Sequence, residues 1–146
     1  RSPRQASGMG TSLNAYLKSI KDKPFKWGEH DCLTFSNAAW HVMYGHGWAD
    51  DWLGRYMDGQ RVKRRDEIKA EIVAECGSSN FIDAVDKRLA RYNGIPPRGA
   101  LIYTKSARRW VTGGALGISV GSHGAFPSET SVLYLPIDVT DKAWVE

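Results

Sequence analysis

Pro24-Phe25-Lys26-Trp27-Gly28-Glu29-His30-Asp31-Cys32, running on into Leu33-Thr34-Phe35-Ser36-Asn37-Ala38-Ala39-Trp40, places a cysteine where a turn becomes an amphipathic helix. Asp31 is suited to the N-cap, and Cys32, Phe35, Ala39, Trp40 and Met43 share one apolar face that Gly45 and Gly47 close. Unpaired backbone N–H groups at a helix start, with the positive end of the helix dipole, lower a cysteine pKa from about 8.5 by up to several units. Cys32 is therefore the candidate nucleophile, and the reading of this one thiol decides the function.

Upstream, Leu13, Tyr16, Leu17 and Ile20 recur at helical spacing behind Thr11 and Ser12, predicting a helix over about 12–21 that Pro24 ends. Downstream, residues 66–75 and 80–92 read as two further amphipathic helices with Asp66 and Asn80 as caps, while residues 50–57 show no clear period. After Gly94-Ile95-Pro96-Pro97-Arg98-Gly99 the pattern turns to short β runs over 100–103, 115–120, 123–126 and 132–137. Helices first and strands after predict an α+β domain, the cysteine helix packed on a C-terminal antiparallel sheet of about four to six strands.

A chain of 146 residues with 42% apolar content suits one domain that needs no disulfide staple. Residues 1–8 are polar and read as a disordered arm or an expression scar, leaving 9–146 as the single domain. No apolar run approaches the roughly 18 residues of a membrane span, so no membrane insertion is expected. The net charge of +4 includes Arg1 and Arg4 of that arm, so the basic runs Lys63-Arg64-Arg65 and Arg108-Arg109 read as solvated faces, and no nucleic-acid partner is expected. His30, Cys32, His41 and His46 match no zinc ligand spacing, and neither a metal nor a cofactor is expected. Cys76, before Gly77, reads as a buried or incidental cysteine ahead of a ligand or nucleophile. Trp48, Trp52 and Trp110, in loops, read as assembly contacts ahead of sugar platforms.

Phe25-x-Trp27-Gly28 followed by Asp31-Cys32 resembles the tyrosine-x-tryptophan-glycine and aspartate-cysteine elements of NlpC-type cell-wall peptidases, which are papain-like cysteine hydrolases. Gly99-Ala100-Leu101-Ile102-Tyr103 is similar to their glycine-aspartate strand, and Ala115-Leu116-Gly117-Ile118-Ser119-Val120-Gly121 to their histidine-valine-glycine-isoleucine strand. A subgroup of short proteins encoded among phage tail genes shares the Trp-Gly-x-x-Asp-Cys start, the Leu-Gly-Ile strand and a final Ala143-Trp144-Val145. The resemblance implies a papain-like NlpC-type fold, Cys32 as nucleophile, and Asp31, Trp27 and Gly28 on the oxyanion or pocket side. Three departures stand out. Ala115 replaces the catalytic histidine, Phe25 the oxyanion tyrosine, and Ala100 the strand aspartate.

Hydrolysis of this type needs an imidazole to generate the thiolate and protonate the leaving amine, help worth about 10²- to 10⁴-fold. Among the four histidines, His123 on the following strand is the candidate substitute base; His30 lines the turn, His41 lies roughly 13 Å down the helix, and His46 sits in a glycine loop. The resemblance thus implies a protein of the distal phage tail or tail tip in the virion, assembled in the host cytoplasm and reaching the host envelope. Its implied partners are other tail proteins and peptidoglycan, with catalysis degenerate. Two alternatives stay open: a peptidase cutting stem-peptide amides through Cys32 and His123, and a thiol hydrolase acting on another amide or ester.

Overall fold

The computed structural model describes residues 12–107 and 113–146. The arm expected over residues 1–8, and Arg108, Arg109 and Trp110, lie outside the described residues. Among those described, the chain forms α1 (residues 12–19), α2 (Cys32–Tyr44), α3 (Arg65–Cys76) and α4 (Phe81–Asp86). A small ribbon of β1 (Met57–Asp58) and β2 (Arg61–Val62) precedes α3. The main sheet comprises β3 (Ala90–Arg91), β4 (Leu101–Thr104), β5 (Ala115–Ser119), β6 (His123–Pro127), β7 (Val132–Pro136) and β8 (Lys142–Val145). Its six strands run in the order β3-β8-β4-β5-β6-β7, every neighbour antiparallel. The α+β expectation therefore holds.

Helix α2 is set by local chemistry at both ends. Asp31 caps its start, and Gly45, at φ 82°, closes it in the left-handed conformation that glycine enters without Cβ strain. Its buried face carries Phe35, Ala39 and Trp40, and packs on the sheet face of Leu101, Tyr103, Leu116, Ile118 and Trp144. Burying side chains of this size contributes roughly 1.5–3 kcal/mol each. The Tyr44 hydroxyl donates to the Gly99 carbonyl at 3.0 Å, tying the end of α2 to the start of β4. Leu13 and Leu17 of α1 close the same core from the side.

The opposite sheet face has a smaller core of Ile102, Phe126 and Ala143, joined by Leu135 and Ile137. Here the Phe126 ring lies flat because β5 and β6 offer glycines beneath it. A Cβ on Gly117 would stand 2.5 Å from both the Ala125 carbonyl oxygen and the Phe126 ring. The outer strand β7 has a blunted edge: the Val132 N–H donates to the Lys21 carbonyl at 3.0 Å, and Pro136 has no N–H to offer. Alternation along an antiparallel strand leaves Tyr134 as its outward-facing amide.

Several boundaries differ from expectation. The helix read over 80–92 stops at Asp86, because Ala90 and Arg91 pair with Val145 and Trp144 of β8. Helix α3 starts at Arg65, not behind an Asp66 cap, and the Glu67 carboxylate accepts the Arg64 N–H at 3.3 Å. Trp48 is a core residue, 5% exposed, with its indole N–H on the Ser36 hydroxyl at 3.2 Å, which corrects its reading as an assembly contact. Trp52 stacks under Arg88, whose guanidinium lies 3.9 Å from the ring and also holds Asp51 and Glu75.

Replacing Gly117 by alanine should cost about 1–3 kcal/mol, since strand backbone and a buried ring must both yield. Urea unfolding followed by near-ultraviolet circular dichroism, against the native chain, measures it.

Candidate functional site

The turn before α2 is closed by a two-way backbone bridge: Lys26 N–H donates to the His30 carbonyl at 3.0 Å, and His30 N–H to the Lys26 carbonyl at 2.8 Å. At its apex Gly28 adopts φ 81°, open to glycine, and a Cβ there would press on the Met57 side chain. Asp31, 1% exposed, gathers the turn and the helix onto one carboxylate. Its Oδ1 accepts the Leu33 and Thr34 N–H groups at 3.0 and 2.9 Å, and its Oδ2 accepts the Gly28 N–H at 2.8 Å and the Tyr56 hydroxyl. The Thr34 hydroxyl accepts the Asp31 N–H in return at 2.8 Å, completing a capping box.

Cys32 is half-buried on the wall of a cleft of about 390 Å³. Phe25, Trp27, Ala115, Phe126, Leu133 and Leu135 supply most of its lining, with Ser106, Ser128 and Glu129 as polar members. The Phe25 and Trp27 rings meet edge to face at 4.8 Å, and Trp27 leans on Tyr56 at 6.5 Å. The sequence therefore brings Cys32 and position 115 together, as two walls of one space.

The thiol is not the activated one expected. Burial first, and the Asp31 carboxylate second, push the Cys32 pKa up to about 12, outweighing the amides of Leu116, Cys32 and Leu33 that favour the anion. The helix-start rule fails because the cost of burying a thiolate, with the Asp31 carboxylate beside it, exceeds what the helix-start N–H groups return. At such a pKa the thiol stays protonated at neutral pH.

His123 does not meet Cys32. The pairs Ile118 with Ala125 and Ser119 with Gly124 place His123 beside Val120, at the far end of β5 from Ala115. Five residues at about 3.3 Å each separate those ends by roughly 17 Å. His123 is exposed, its Nδ1 2.9 Å from the Ser122 hydroxyl. His41 bonds Asp50 at 2.7 Å, His46 bonds Glu146 at 2.7 Å, and His30 is buried beside Phe35. No histidine lines the cleft among the described residues. Asp31 is a clamp with its oxygens occupied, not an oxyanion donor; Gly28 shapes the turn; Trp27 is a true wall. Leu133, Leu135, Ser128 and Glu129 were not foreseen as cleft residues; the strand register places the two leucines, and the turn after β6, held by the Phe25 N–H on the Ser128 carbonyl at 3.0 Å, places the other two.

Among the described residues no group of three or more histidine, cysteine or acidic side chains could hold a metal ion, and no helix is long and apolar enough to cross a membrane. The chain belongs to a family described as a domain of unknown function (DUF6950), which it matches over residues 4–145. No curated protein and no solved structure matches it.

Two outcomes follow from the clamp and the buried sulfur. Asp31→Ala should cost about 2–4 kcal/mol, combining a lost cap with stranded Gly28 and Tyr56 donors, read as a lowered urea midpoint. Iodoacetamide should alkylate Cys32 slowly at neutral pH, with a rate still rising above pH 10; mass spectrometry of the labelled peptide against pH checks it, and a plateau below pH 8 would contradict the burial effect.

Proposed function

We propose that this domain is a phage tail-associated protein of NlpC-type, papain-like architecture that keeps the place of the nucleophile without its chemistry. The observation that carries the reading is that Cys32 and Ala115 line the same cleft. Position 115 is where the resemblance puts the catalytic histidine, and alanine there neither takes a proton nor returns one. Phe25, which lacks a hydroxyl, lines the same cleft where the resemblance puts an oxyanion tyrosine. A thiol held protonated, a missing base and a missing hydroxyl act together, and losses of 10²-fold or more at each leave little hydrolysis.

On this reading the cleft binds without cutting. Its aromatic and aliphatic walls suit contact with another tail protein or a wall peptide at the distal tail or tail tip, where the virion meets the host envelope. The two hydrolase alternatives share one requirement, a proton acceptor within hydrogen-bond reach of the sulfur, and His123 at the far end of β5 does not supply it.

Zymography on purified cell walls tests the proposal. The native chain should give no clearing above the Cys32→Ala control, and it should co-purify with tail particles. Installing the missing groups with Ala115→His and Phe25→Tyr should raise Cys32 alkylation at neutral pH by about 10²-fold. Cys32-dependent lysis by the unaltered chain would overturn it.

A further inference from the structure

His30 is the one histidine enclosed by the fold, with 3% of its surface exposed. Its ring stands edge-on to Phe35 at 6.2 Å, and its Nε2 has no hydrogen-bond partner among the described residues. Its backbone forms both rungs of the Lys26–His30 bridge, the contact that closes the turn carrying Trp27 into the cleft.

We propose that His30 is an acid-sensitive latch on this cleft, holding the Trp27 turn shut while its imidazole is neutral and releasing it when the ring takes up a proton. A neutral imidazole tolerates an apolar wall at modest cost. An imidazolium there would be a buried cation without an acceptor, which costs far more. The charged groups acting on it are Lys23, which repels a second cation, and Asp31, which attracts one. Asp31 gives no direct relief, because its two oxygens already serve Gly28, Leu33, Thr34 and Tyr56. Lys26 and Glu29, on the same turn, pair with each other at 2.7 Å on the surface. From α1, the Tyr16 hydroxyl is turned to the Phe35 carbonyl at 3.3 Å. Solvation of a proton on Nε2 thus requires the ring to leave its site, and the ring is tied through its own backbone to the bridge.

Burial first, and Lys23 next, hold the His30 pKa below its ordinary value of about 6.5. A histidine with a lowered folded-state pKa stabilises the closed state fully above about pH 6.5, and that contribution is lost as pH falls from there toward the folded value. The latch concerns the turn alone and stands whether or not the cleft hydrolyses anything.

The test is a titration from about pH 7.5 to about pH 4.5, following the histidine ring and tryptophan indole signals by nuclear magnetic resonance. Trp27→Phe and His30→Gln variants assign the two signals. The expected result is one shared midpoint below 6.5 for His30 protonation and the Trp27 shift, with faster amide exchange across residues 26–30. His30→Phe, which fills the site without a titrating nitrogen, should abolish the Trp27 transition. Should that variant fail to fold, the shared midpoint in the native chain decides. A His30 titration that leaves Trp27 unmoved, a Trp27 transition surviving in His30→Phe or His30→Gln, or no transition in the native chain would each overturn the latch.

Discussion

The Asp31 carboxylate is the interaction on which the rest is hung. Three backbone amides and a phenol converge on two oxygens, so a single buried charge fixes the turn, the first residues of α2 and the Tyr56 loop relative to one another. A buried anion is stable only when hydrogen bonds replace its hydration, and four donors do this here. The same anion lies beside Cys32 and disfavours a second negative charge on the sulfur. The anion thus orders the head of α2 and adds to what burial, the larger cause, does in raising the Cys32 pKa.

What the sequence made legible was local. The cap, the apolar period and the closing glycine of α2 lie within one short stretch, and all three act through neighbouring backbone, so the helix follows from Asp31 to Gly45. The runs over residues 115–120, 123–126 and 132–137 announce β5, β6 and β7 by β-branched and aromatic content bounded by glycine and proline. What stayed hidden depends on partners far along the chain. Ala90 and Arg91 continue a helical pattern, yet β8 recruits them into the sheet, and the four residues of β8 are too few for any period to show. The cleft was legible at Cys32 and Ala115 and hidden at Leu133, Leu135 and Glu129, whose arrival there depends on register and on the turn after β6. The misreading of the thiol has another source: the helix-dipole rule describes an exposed helix start, and at this one burial of the sulfur outweighs the amides.

On the proposed reading, the sheet also explains how a site loses its chemistry and keeps its shape. The cleft walls are side chains already engaged in packing: Phe126 in the outer core, Trp27 against Phe25 and Tyr56. Nothing about their positions calls for an imidazole at residue 115. A small side chain there enlarges the cleft and leaves the flanking strands paired, Thr104 with Ala115 included. On that reading fold and reaction are separable, because the residues that shape the cleft and the one at position 115 are different residues.

The guarded margin of β7 bears on how such a chain behaves in crowded company. With one amide taken by Lys21 and another abolished by proline, the sheet offers an incoming strand too few rungs for a ladder, although Leu133 and Tyr134 are both exposed. Copies held side by side at high local density are thereby steered away from fibril-like stacking, and any union along this margin must be written in side-chain shape, a reversible and selective kind of adhesion.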